Sequence, residues 1–128
     1  MATITEDYVS FETAKLLKEK GFTENCLMRY NKVGDLVEEA YKSNWNFQTI
    51  DYSAPTLQMA MKWLREVHEI YMMIDKDFAT EKGWHYVIAR KQDWADNIDK
   101  GLIQQESNSY TYEEACEAAI KYCLENLI

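Results

Sequence analysis

The two histidines are the side chains best suited to acid–base chemistry near neutral pH, because the ordinary pKa of an imidazole is about 6.5. His68 continues an apolar helical pattern and is followed by Glu69, whereas His85 falls in a predicted strand after Asp75. Neither histidine lies in a recognisable catalytic motif. We expect both to be structural residues, and a small enzyme or ligand-binding domain built on these four residues is the alternative.

Motifs for other chemistries are missing from the sequence. The glycines are too scattered for a phosphate-binding loop, the sequence has no GxSxG elbow, and the runs 75–77 and 93–99 do not fit a calcium loop. Cys26, Cys116 and Cys123 contain no CxxC pair, and their odd number leaves at least one thiol free. We therefore predict buried, reduced cysteines, no catalytic residue, no metal site and no cofactor.

The charge of the chain is strongly acidic. The formal net charge is −8, from 22 acidic and 14 basic residues, which disfavours direct binding to nucleic acid. Residues 91–128 hold eight acids and three bases, and so contribute −5 of that charge. An acidic surface formed by Asp93, Asp96, Asp99 and Glu106 is the basis of one hypothesis, that of a DNA mimic that inhibits a host DNA-binding or defence protein.

Aromatic residues make up 13% of the chain, with four tryptophans and nine tyrosines, and this is more than a small core needs. Met59 and Trp63 lie on a second apolar line of the middle helix, and Trp84 and Tyr86 share one face of a strand. Trp94 lies among aspartates. These five residues are the predicted contact surface for another protein.

Local signals define the elements of the first half. Ser10 is a good N-cap and Gly21 a good C-cap, which predicts a helix over residues 10–21. Residues 26–30 and 35–41 flank a turn containing Gly34, and this pattern predicts a β-hairpin. The alternation of apolar and polar residues over 45–50 predicts a third strand.

The second half repeats a helix followed by strands. Apolar spacing predicts a middle helix from Pro55 to about His68, and residues 69–74 and 84–90 predict a second hairpin. Residues 91–109 remain open as a loop, a short helix or an edge strand. Thr111 and Glu114 form a capping-box pattern at the start of a final helix over 112–127.

Together these elements predict a single α+β domain over residues 1–128, an antiparallel sheet of two hairpins with three amphipathic helices packed on one face. The two-sided apolar middle helix makes a homodimer one alternative. The acidic N-terminal segment does not resemble a signal peptide, and no run approaches the ~18 apolar residues of a membrane span. We therefore expect a cytoplasmic protein.

Three segments, FETAKLLKEKGF (11–22), SAPTLQMAMKWLREVH (53–68) and YEEACEAAIKYCLENLI (112–128), resemble a family of small uncharacterised proteins encoded by phages and prophages of gut Bacteroides and related bacteria. The segments cover about a third of the chain and coincide with the three predicted helices. The resemblance implies that the protein is encoded by a mobile element and is located in the cytoplasm of the host. It implies no activity, cofactor or catalytic residue.

The leading hypothesis is therefore a non-enzymatic accessory protein of a phage or mobile element that binds another protein, of phage or host origin. The alternatives are the acidic DNA mimic and a small-ligand binder or enzyme.

Overall fold

The computed structural model describes residues 4–47, 50–79, 83–91, 102–105 and 110–128, with the backbone alone at 102–105. The chain divides into two compact units, residues 1–60 and 61–128, and the boundary falls within the middle helix. The described elements are α-helices and two antiparallel sheets, which confirms the predicted α+β class. Each predicted hairpin belongs to a three-stranded sheet of its own. The organisation as one domain stays a prediction.

The first helix, α1 (Phe11–Glu19), has the caps that the sequence predicts. The Ser10 hydroxyl oxygen accepts a hydrogen bond from the Thr13 amide at 3.2 Å, and Gly21 adopts φ 89° after the last turn. The Phe22 amide then donates to the Leu17 carbonyl at 2.9 Å, which turns the fully buried Phe22 ring back onto the helix.

The first sheet consists of β1 (Cys26–Tyr30), β2 (Leu36–Ser43) and β3 (Tyr52–Ser53), in the order β2-β1-β3. Both pairings of β1 are antiparallel, and the pairing with β2 shifts register between Cys26 and Met28. Gly34 forms the hairpin turn with φ 92°. The predicted first hairpin is confirmed, and α1 packs against β3.

The predicted third strand over residues 45–50 is wrong. Trp45–Phe47 form a 3-10 turn, and the strand that pairs with β1 begins only at Tyr52. Polar side chains cause the turn, because the Asn44 amide oxygen accepts from the Asn46 backbone amide at 3.1 Å. Asn46 in turn donates through Nδ2 to the Phe22 carbonyl and accepts at Oδ1 from the Ser53 amide, both at 2.8 Å.

Gly34 is required at its turn for two reasons that can be separated by mutation. Its φ lies in the left-handed region, and a Cβ there would lie 2.9 Å from the Phe11 ring. Gly21 has a similar φ of 89° but open space around the same position. We expect Gly34→Ala to lower the free energy of unfolding by about 2–3 kcal/mol and Gly21→Ala by about 1 kcal/mol.

Urea denaturation followed by circular dichroism measures both losses. Equal losses in the two variants would show that the Phe11 ring moves aside at no cost, and would contradict the close-approach argument.

Helix α2 (Leu57–His68) begins after Thr56, whose hydroxyl oxygen accepts a hydrogen bond from the Met59 amide at 3.1 Å. It matches the predicted middle helix. The second sheet follows, with β4 (Ile70–Lys76), β5 (Trp84–Arg90) and β6 (Leu102–Gln105) in the order β4-β5-β6. Strand β6 lies in the segment that the sequence left open.

The final helix, α3 (Tyr112–Asn126), confirms the capping-box prediction. The Thr111 hydroxyl accepts from the Glu114 amide at 3.2 Å, and the Glu114 carboxylate accepts from the Thr111 amide at 3.0 Å. Helix α3 packs on one face of the sheet, against β5 and β4. The fully or almost fully buried side chains of this unit include Ile70, Ile88, Cys116, Ala119, Ile120, Cys123 and Leu124.

Among the described residues, no helix has both the length and the apolar character needed to cross a bilayer.

Candidate functional site

The strand face that carries Trp84 and Tyr86 is covered by α3, which corrects the predicted exposure of Tyr86 and leaves Trp84 half-buried. The Trp84 ring packs edge-on against Tyr112 with centroids 5.1 Å apart, and Tyr86 lies 6.4 Å from Tyr122. Tyr86 is only 4% exposed, and burial raises the pKa of its hydroxyl. The two residues share one face as predicted, but that face forms the core of the second unit.

On α2, the structure separates the two predicted contact residues. Trp63 is 5% exposed and its ring packs edge-on against His68, with centroids 4.6 Å apart. A buried tryptophan cannot serve as a contact surface, so its predicted exposure is corrected. Met59 is 40% exposed, and it remains available.

The remaining predicted site residues, Trp94, Asp93, Asp96, Asp99 and Glu106, lie outside the described residues. The acidic surface of the DNA-mimic hypothesis therefore stays a prediction. In the described part of the same region, two carboxylates of α3 have structural roles: Glu114 completes the capping box, and Glu125 lies 3.8 Å from the Lys121 ammonium.

A different exposed apolar surface lies on the side of the second sheet that faces away from α3. Successive side chains of a strand point to opposite faces, so the neighbours of the buried residues project outward. Tyr71 is 42% and Met73 62% exposed on β4, and their cross-strand partners Ala89 and Val87 are half-buried. We call Tyr71, Met73, Val87 and Ala89 the open face.

Sequence reasoning missed the open face because β4 is apolar on both sides. The run Ile70-Tyr-Met-Met-Ile74 has no polar alternation to show which residues are buried. The exposed charged residue Asp75, two positions after Met73, is the one local signal that odd-numbered positions of β4 point outward.

Charged groups border the open face. Asp75 lies opposite His85 in the strand pairing, and its carboxylate oxygen is 3.8 Å from the His85 Nε2. At the start of β4, the Glu69 carboxylate lies 3.2 Å from the Lys91 ammonium. Asp77 is exposed just beyond the other end of β4. The apolar strip is thus framed by three carboxylates, those of Glu69, Asp75 and Asp77.

The alternative site built on the two histidines is only partly assembled. His85 does lie beside Asp75, but His68 packs on Trp63 at the end of α2. Glu69 forms the turn after the helix with φ 53°, and its carbonyl accepts from the Lys91 amide at 3.2 Å.

The His68 imidazole is expected to make stability depend on pH. Its Nε2 is buried with no hydrogen-bond partner among the described residues, and burial lowers the pKa of the ring below its ordinary value. Between that lowered pKa and the ordinary value of about 6.5, the unfolded chain binds more protons than the folded one. Stability is therefore fully present above about pH 6.5 and falls as the pH drops through that window.

The variant His68→Phe keeps an aromatic ring against Trp63 and removes the titration. We expect its free energy of unfolding, measured in urea between about pH 7.5 and 5, to fall less steeply than that of the natural chain. The two proteins are otherwise identical, so every other contribution to the pH dependence is common to both. If the free energies of unfolding of the two proteins fall equally with pH, the proposed contribution of His68 to the pH dependence is contradicted.

A shallow cavity of about 200 Å³ lies in the first unit and includes Met59 in its wall. The volume is below the roughly 300–1,000 Å³ of typical ligand sites. Cys26 also lines it, but burial raises the pKa of this thiol to about 11, so it is neutral at pH 7 and unsuited to nucleophilic attack. Other residues of the wall are Glu6, Tyr8, Asn25, Leu27, Lys42, Ala54, Pro55 and Thr56.

The cysteines are free and buried, as predicted. Burial raises the pKa of the Cys123 thiol to about 12. Over the described part of the chain, no cluster of three or more histidine, cysteine or acidic side chains could hold a metal ion.

In comparisons with known proteins, no family model, no curated protein and no solved structure matches this chain.

Proposed function

We propose that this chain is a non-catalytic protein-binding domain, an accessory protein of a phage or other mobile element that acts in the host cytoplasm. Its contact surface is the open face, and its partner is a segment of another protein that carries both apolar and basic side chains. The observation that carries the proposal is the exposure of Tyr71 and Met73 side by side on a strand whose other face is packed under α3.

The apolar part of the surface supports protein binding. Exposed tyrosine is enriched at protein interfaces because it buries a large area at low entropic cost, and methionine adapts its shape to a partner. Val87 and Ala89 continue the strip onto β5 at half-buried positions. Burying Tyr71 and Met73 in a complex would remove apolar surface from water at roughly 25 cal/mol per Å².

The charge around the strip supports a basic partner. Glu69, Asp75 and Asp77 are exposed at its ends, and residues 61–128 as a whole hold thirteen acids and eight bases, a formal charge of −5. Such a field attracts cationic segments and raises their rate of association, and added salt weakens it.

The test uses site-specific photo-crosslinking. The amino acid p-benzoyl-phenylalanine replaces Tyr71 in one protein and Tyr41 in the other, since Tyr41 is also an exposed strand tyrosine, 66% exposed, on β2 of the first sheet. Both are expressed in a Bacteroides-type host that carries the mobile element. We expect a crosslink from position 71, absent from position 41, to a peptide that contains lysine or arginine.

Point variants add a second readout. The readout is co-purification, without crosslinking, of the partner that the crosslink identifies. Tyr71→Lys is expected to reduce its recovery by at least about tenfold, because the change removes apolar area and repels a basic segment, whereas Tyr41→Lys leaves recovery unchanged. Crosslinks of equal yield from both positions, or a partner peptide without basic residues, would overturn the proposal.

A further inference from the structure

We propose that two copies of this chain associate through the outer edge of β4, antiparallel and centred on Met73, and so join two three-stranded sheets into one six-stranded sheet. This inference goes beyond the proposed function and does not rest on it, because it concerns the backbone edge of β4 and a second copy of the chain.

The first argument is the geometry of the edge. In the order β4-β5-β6, β5 is the one strand with which β4 pairs in the described part of the chain. Strand β4 is seven residues long, and its pairing with β5 runs through all seven positions without a shift of register. Natural edge strands are usually protected by a proline, a bulge or extreme shortness. Strand β4 has none of these three features, and its charged residues, Asp75 and Lys76, are confined to its last two positions, so residues 70–74 suit strand addition.

The second argument is that β4 complements itself. A two-fold axis at Met73 places Tyr71 opposite Asp75 of the second copy, where the phenol can donate a hydrogen bond to the carboxylate. The two Met73 side chains meet at the axis on the open face. On the opposite face, Met72 lies against Ile74 of the second copy. Within β4, Ile70 faces Lys76 of the second copy and no like charges are directly opposed, whereas just beyond the strand ends Glu69 faces Asp77.

Neighbouring registers are poorer. An axis at Met72 would pair only residues 70–74 with their copies and set Asp75, inside β4, against Glu69, whereas an axis at Met73 pairs all seven residues of β4 and leaves Glu69 and Asp77 beyond its ends. An axis at Asp75 would oppose that carboxylate to its own copy. An axis at Ile74 would set Met73 against a carboxylate. A register displaced by one residue would place the open faces of the two copies on opposite sides of the joined sheet. Met73 is therefore the favoured centre.

The charge of the chain gives the association a distinctive salt dependence. Each copy has a formal charge of −8, so two copies repel each other at low ionic strength. Salt screens this repulsion, with a Debye length of about 30 Å at 0.01 M and about 10 Å at 0.1 M. The dimer is therefore strengthened by salt, whereas binding to a basic partner is weakened by it.

Disulfide trapping of the purified chain tests the register. Met73→Cys places two thiols at the axis, where Cα atoms of an antiparallel pair lie about 4.5–5.5 Å apart and can form a disulfide. Tyr71→Cys is the matched control, because its two copies would be about 13 Å apart along the strands. The natural cysteines are buried and contribute little background. We expect Met73→Cys to become mostly covalent dimer under mild oxidation, and Tyr71→Cys to remain monomer.

Sedimentation of the natural chain provides a measurement without mutation. The measured mass is expected to rise from 15.1 kDa toward twice that value as the protein concentration increases. The rise is expected at a lower protein concentration in about 0.5 M sodium chloride than in about 0.05 M. Met73→Lys opposes two ammonium groups at the axis and is expected to stay monomeric, whereas Tyr71→Lys faces Asp75 of the second copy and retains the dimer. A monomer under all conditions, or equal trapping at both cysteine positions, overturns the inference.

Discussion

Replacing Ile88 by aspartate is expected to unfold the second unit at neutral pH. Ile88 is fully buried on β5, on the sheet face against which α3 packs. A carboxylate there would be buried without a partner, which costs about 3–5 kcal/mol beyond the lost apolar contacts. Since natural domains are stable by only about 5–15 kcal/mol, this loss removes most of the stability.

The matched control is Met73→Asp, which makes a similar change on the same sheet but on the open face. Met73 is 62% exposed and lies on β4, so its carboxylate stays in water and the expected loss is below about 1 kcal/mol. Far-UV circular dichroism in urea measures both. A similar loss in the two variants would contradict the assignment of a covered and an open face.

The second large effect is expected at Asn46, whose side chain replaces strand pairing in the first unit. Asn46→Ala leaves the Phe22 carbonyl and the Ser53 amide without their hydrogen-bond partner. Ser53 is fully buried, so water cannot readily replace the lost donor and acceptor. At about 1–3 kcal/mol for each buried group left unsatisfied, the free energy of unfolding should fall by about 2–5 kcal/mol.

Asn46→Asp separates the two bonds. Its carboxylate can still accept a hydrogen bond from the Ser53 amide but cannot donate one to the Phe22 carbonyl. We therefore expect the free energy of unfolding to fall through the loss of the Phe22 bond alone. An Asn46→Ala variant within about 0.5 kcal/mol of the natural chain would show that the turn does not depend on these bonds.

The helices and the two hairpins could be predicted because their signals are local. Ser10 and Thr111 cap helices through amides three residues away, and Gly34 supplies the positive φ of a turn. Such interactions are complete within a few residues, so the sequence contains all the information that they need. The error over residues 45–50 has the opposite cause, since the alternation there is real but Asn46 bonds to Phe22, 24 positions away.

The same limit applies to the candidate site. Trp63, Trp84 and Tyr86 were predicted as a contact surface on residue type, but Trp63 and Tyr86 are buried and Trp84 is half-buried, because burial depends on which element covers a face. Helix α3 comes from the far end of the chain and covers the even-numbered side of β5, which leaves Tyr71 and Met73 on the open face. The run 70–74 of β4 is apolar on both of its sides, and long-range packing decides which side is buried.

By itself, the sequence determined the α+β class, the helix caps, the hairpin turns and the acidic charge, because each follows from residue types over short spans or from a sum over the chain. The tertiary structure alone decided that the hairpins belong to separate sheets, that Asn46 interrupts a strand pattern, and that Tyr71 and Met73 are the exposed pair. The physical reason is that burial and strand pairing depend on contacts between residues distant in the chain, which no local pattern encodes.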